Sequence, residues 1–89
     1  MRESDIEKKA KTKVESIGGK CLKFVSPGMR GVPDRICLFP EEKIFFVETK
    51  APGKPLEPLQ EKRRKELQAM GFKVYKIDSE EQINAIQAP

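Results

Sequence analysis

The chain has 89 residues, 18 Lys and Arg against 14 Asp and Glu, a net charge of +4, and 37% apolar residues. That length gives one domain, residues 1–89, with a modest core, and the mixed charge is not that of a disordered chain. There is no histidine, which removes Ser-His-Asp and Cys-His catalysis and argues against a zinc site. Enzyme chemistry here must run on carboxylates, lysines and a metal ion.

The N-terminus "MRESDIEKKAK" is polar and no stretch is long enough to span a membrane, so a cytoplasmic location is expected. Residues 4–17 read as a helix. Ser4 is its expected N-cap with Glu7 completing a capping box, Ile6, Ala10, Val14 and Ile17 form its apolar face, and Gly18-Gly19 end it. "KCLKFV" (20–25) reads as a strand, "SPGMRGVP" as a flexible loop and "DRICLF" (34–39) as a second strand. Cys21 and Cys37 fall in these strands and read as buried free thiols, with a disulfide as the alternative. "KIFFVETK" (43–50) is apolar on both faces, the mark of a central strand. After a proline-rich loop a second helix is expected over 58–70, with Leu59, Leu67 and Met70 inward. A fourth strand follows at 72–78, and then a short helix capped by Ser79. The order is α-β-β-β-α-β-α.

Side chains alternate along a strand, so Ile44, Phe46, Glu48 and Lys50 share one face and Asp34, Ile36 and Leu38 another. If Phe39 pairs with Lys43 across the turn, the same register sets Asp34 opposite Glu48, with Cβ atoms about 4.5–5.5 Å apart. A one-residue slip would undo this. Two carboxylates that close repel unless a cation sits between them, and a hard divalent ion is the natural occupant. The backbone carbonyl of Thr49 would add an oxygen, and Lys50 would stand beside the ion, an arrangement suited to phosphodiester hydrolysis. Glu7, at the edge of the helical stripe, would project toward the seam, with Glu3 one turn earlier as its rival. Taken singly, Asp34 reads as a turn cap and Glu48 with Lys50 as a rim ion pair. Those readings give no reason for the three to share a face.

"GVPDRICLF", "IFFVETKAPGK" and "LQEKRRKELQAMGFKVYKID" together resemble the virus-type replication-repair nuclease (VRR-NUC) domain of the PD-(D/E)xK, restriction-endonuclease-like superfamily. The resemblance covers almost the whole chain. It implies a restriction-endonuclease-like α/β core, a mixed four-stranded sheet flanked by helices, and a magnesium site that manganese can also fill. It assigns the catalytic acids to Asp34 and Glu48, the lysine to Lys50, a helical glutamate to Glu7 and a helix-opening glutamine to Gln60. The metal ligands implied are Asp34, Glu48, the Thr49 carbonyl and Glu7. Arg30, Lys54, Lys62, Arg63 and Arg64 are the expected DNA contacts, made to phosphates and so reading shape over sequence. The function implied is a phage-type DNA endonuclease, acting as a homodimer to resolve Holliday junctions. Flap cleavage or nicking is the alternative within the class, and a non-catalytic DNA-binding module or a protein-interaction domain lies outside it. Tyr75, the only tyrosine, reads as a packing residue.

Overall fold

The computed structural model describes residues 1–89. Its elements are α1 (Glu3–Ser16), β1 (Lys20–Lys23), β2 (Arg35–Phe39), β3 (Lys43–Thr49), α2 (Pro58–Ala69), β4 (Lys73–Ile77) and α3 (Glu80–Asn84). The start of α1 differs from expectation. Arg2, not Ser4, occupies the N-cap, and the Asp5 carboxylate accepts from the Arg2 amide at 3.0 Å. A carboxylate three residues into a helix can reach back to an orphan amide and does so here in place of Glu7. Both long helices end on glycine. Gly18 lies at φ +95° and Gly71 at φ +93°, and the amides of Gly19 and Phe72 reach back to the carbonyls of Val14 and Leu67 at 3.0 Å. The left-handed residue costs glycine nothing, and the two back-bonds satisfy carbonyls the helix leaves open. Ser79 caps α3, its Oγ accepting from the Gln82 amide at 3.2 Å.

The sheet runs β1-β2-β3-β4, antiparallel through the first three strands and parallel between β3 and β4. It is the mixed four-stranded sheet expected, with β3 in its interior. Phe39 pairs with Lys43 and Arg35 with Val47, the register that sets Asp34 opposite Glu48. The turn between β2 and β3 is strained: Glu41 and Glu42 both take positive φ, 66° and 63°, where asparagine and glycine are usual.

The two faces of the sheet are unequal. On one, Ile6, Ala10 and Val14 of α1 and Ile83 and Ile86 pack on Cys21, Cys37, Phe45, Val47 and Ile77, forming one core of ten buried residues. Cys21 and Cys37 face each other across β1 and β2 as free thiols, Sγ to Sγ 3.8 Å. Tyr75 packs edge-on against Phe45. The other face carries α2, which buries no residue at all. Leu67 is half-buried, but Leu59 and Met70, expected inward, are exposed, Met70 to 72%. The helix is too polar to sink: eight of its twelve residues are Lys, Arg, Glu or Gln, at positions that leave only a narrow apolar seam.

Candidate active site

The site forms where β2 begins and β3 ends. Asp34 immediately precedes β2. Its carbonyl accepts from the Phe24 amide at 2.9 Å, which carries the β1–β2 pairing one step past the last residue of β1. Its carboxylate reaches across the hairpin, where Oδ2 accepts from the Thr49 amide at 2.8 Å and from Thr49 Oγ1 at 2.9 Å. Thr49 is itself buried, so Asp34 is held by a rigid two-point clamp. Glu48 is 2% exposed, and its Oε1 has no hydrogen-bond partner. A buried carboxylate oxygen without a partner is costly, and such exceptions call for an explanation.

Electrostatics mark the same residue. Burial pushes the Glu48 carboxyl up to about 9, and the hydrogen bond and charge of Asp34 push the same way, while the Lys50 ammonium opposes them. The charge of Glu3 also reaches Glu48. Thus Asp34, Lys50 and Glu3 all act on Glu48. Glu7 does not join them. Arg35 Nε donates to Glu7 Oε2 at 2.8 Å, and Lys23 Nζ lies 3.8 Å from the same oxygen. Arg35 and Lys23 point to the α1 face of the sheet and draw Glu7 there, which leaves Glu3 as the α1 acid whose charge reaches Glu48. No three acid, histidine or cysteine side chains form a closed metal cage. A cation at Asp34 and Glu48 therefore needs a backbone oxygen as well. The donor set is all oxygen, with one orphan atom, and it fits a hard divalent ion.

Of the remaining expected residues, Gln60 has a structural partner: its Oε1 accepts from the Glu57 amide at 2.8 Å and closes the N-terminus of α2. Arg63 donates through Nε to the Arg30 carbonyl at 2.8 Å and pairs with Glu66 at 3.0 Å, so the 26–31 loop is tied to α2, not free. Gly31 shares in that docking, since at φ +83° a Cβ there would stand 2.8 Å from the Leu59 carbonyl oxygen. Arg64 pairs with Glu61 at 3.3 Å. Arg30, Lys54 and Lys62 are exposed. Sequence reasoning used only the carbonyl of Thr49 and missed its hydroxyl clamp. The place directly after Glu48 in the same hairpin was the available signal.

A search of curated proteins finds "Putative nuclease p44" of Acyrthosiphon pisum secondary endosymbiont phage 1, 48% identical over 81 residues, spanning 91% of this chain and 87% of that protein. A solved structure described as a VRR_NUC domain superposes with a TM-score of 0.85 at 29% identity, covering 92% of this chain and 89% of the other. The chain belongs to the VRR-NUC nuclease family. No protein-family profile matches it. Within the VRR-NUC fold the hairpin β2–β3 brings Asp34 to Thr49, next to Glu48. No helix of this VRR-NUC chain is long and apolar enough to cross a membrane.

Proposed function

We propose that the protein is a magnesium-dependent, structure-selective DNA endonuclease that works as a homodimer on four-way junctions. The observation that carries this reading is the buried, partnerless oxygen of Glu48 facing Asp34, with Lys50 and Glu3 acting on the same carboxylate. Asp34, Glu48 and the Thr49 carbonyl are the residues that would hold the ion, with the Glu3 charge acting on Glu48 from α1. What the ion would supply is Lewis acidity toward water and toward the phosphate oxygens. The Thr49 amide and hydroxyl fix Asp34, so one ligand is set before substrate arrives. Lys50 sits beside Glu48, where its ammonium orients the attacking water or donates to a phosphate oxygen as charge grows there.

An 89-residue domain acting on a large junction needs more contact area than it has. A two-fold dimer supplies it and matches the symmetry of the junction. The face that supports such pairing is that of α2, where Met29 and Met70, both exposed, rim an apolar recess of about 310 Å³ floored by Phe24, Val32 and Leu67.

The test is cleavage of an end-labelled four-way junction in Mg²⁺. Wild type is expected to place paired, symmetric nicks, and Asp34→Asn none. Equal cleavage by Lys50→Ala, or no cleavage of any branched DNA by wild type, would remove the proposal. A single incision on a flap would retain the endonuclease and reject the junction. Sedimentation of wild type and of Met70→Glu tests the pair, with the variant expected as a monomer. A monomeric wild type would reject the dimer.

A further inference from the structure

A groove between α1 and β1 is lined by Ser4, Glu7, Lys8, Lys11, Lys23 and Arg35 and encloses about 270 Å³. Lys23 and Arg35 are direct cross-strand partners in the β1–β2 ladder. Like charges directly opposite each other destabilise a sheet. Glu7 lies between them, 2.8 Å from Arg35 and 3.8 Å from Lys23, a single negative charge against two positive ones. Lys8 and Lys11, one helical turn apart on α1 and both exposed, bring two more cations to the same place. Four cations thus surround one anion. Arg35 is held rigid, only 12% exposed, its second nitrogen donating to the Cys21 carbonyl at 3.3 Å. Lys8 and Lys11 form no ion pair and Lys23 only a long one, so the groove holds more positive charge than its one carboxylate offsets.

The groove and the candidate active site share two elements: Arg35 opens β2 directly after Asp34, and Glu7 lies four residues, about 6 Å along the α1 axis, beyond Glu3. On the opposite face of the sheet, by contrast, Arg63 and Arg64 of α2 are already paired with Glu66 and Glu61.

We propose that this groove is the track for the DNA strand, and that phosphates flanking the scissile one lie against Lys8, Lys11 and Lys23, with Arg35 as the fixed floor. The inference rests on the nuclease reading and adds to it the face on which DNA lies. Glu7 is a positioning residue in it: it holds Arg35 and Lys23 side by side against their repulsion. The groove presents cations and a hydroxyl, groups that suit phosphates and carry no base information.

The test compares two triple variants with equal loss of charge. One is Lys8→Ala/Lys11→Ala/Lys23→Ala in the groove. The other is Lys20→Ala/Lys43→Ala/Lys65→Ala, at exposed positions away from it. Binding of a fluorescent four-way junction is followed by anisotropy across a salt series, with calcium in place of magnesium. The groove variant is expected to lose affinity tenfold or more at moderate salt. Its plot of log affinity against log salt should be shallower by about 2 to 3, near 0.9 for each phosphate no longer neutralised. The control is expected to stay within about threefold of wild type with an unchanged slope. Thermal unfolding checks that both variants fold. Equal losses in the two variants, or wild-type binding by the groove variant, would overturn the proposal. Wild-type binding by the groove variant while Asp34→Asn still abolishes cleavage would reject the groove alone. Groove-dependent binding with no cleavage by wild type would keep the groove and reject the nuclease.

Discussion

Replacing Glu48 by glutamine is expected to stabilise the metal-free protein while abolishing its activity. The Glu48 carboxyl is pushed from an ordinary 4.5 up to about 9, first by burial and then by Asp34. A carboxyl raised on folding contributes stability that is fully present below its unfolded value and is lost as pH rises through its folded value. At pH 7 the unfolded chain gains from ionising Glu48 while the folded chain holds it neutral. At 1.36 kcal/mol per pH unit, the ceiling on that penalty is about 3 kcal/mol. Asp34 is only half-buried, so solvent screens part of it, and a net gain of about 1 to 2 kcal/mol is the expectation for Glu48→Gln. Glutamine keeps the shape and stays neutral, which removes the penalty. For a domain of this size the gain raises the melting temperature by about 4 to 8 °C per kcal/mol. The assay is thermal unfolding of both proteins in EDTA between pH 4.5 and 9. The gap should be widest at high pH and close toward pH 4.5. Adding Mg²⁺ should then raise the midpoint of wild type by mass action and leave that of the variant nearly still. A variant less stable than wild type at pH 7, or a gap that does not narrow in acid, would show that Glu48 is charged and satisfied in the folded chain and would refute the reasoning.

Thr49→Val removes one of the two donors that clamp Asp34 and leaves the amide. It should cost about 1 to 2 kcal/mol in urea unfolding and lower cleavage about tenfold, because Asp34 is then free to turn. Glu3→Gln is expected to weaken magnesium binding in calorimetry, whereas Glu7→Gln should leave the metal titration near wild type and lower the melting temperature by breaking the ion pair with Arg35; the reverse pattern would restore Glu7 as the helical acid. Glu42→Gly relieves one left-handed residue in the β2–β3 turn and should add about 0.5 to 1 kcal/mol in the same unfolding measurement. A loss of stability there would mean that the Glu42 side chain contributes more than its strain.

Local pattern carried much of this protein. The apolar run Ile44–Val47 marked β3 as interior, and the glycines at 18 and 71 and Ser79 marked helix boundaries, because periodicity, backbone freedom and capping act within a few residues. The register that faces Asp34 to Glu48 followed from a short turn, since pairing two residues of a hairpin sets all the rest. What lay beyond the sequence was decided between elements. Only the packing of α1 on the sheet could commit Glu7 to Arg35 and Lys23, because Glu3 and Glu7 lie near the same edge of the helix and their surroundings depend on where those two cations reach. Only the docking of the 26–31 loop could turn Arg63 into a tether. The burial that lifts the Glu48 carboxyl, and the arrival of Lys23 and Arg35 beside Glu7, come from residues far apart in the chain, and electrostatic interaction depends on distance in space, to which position along the sequence is a poor guide.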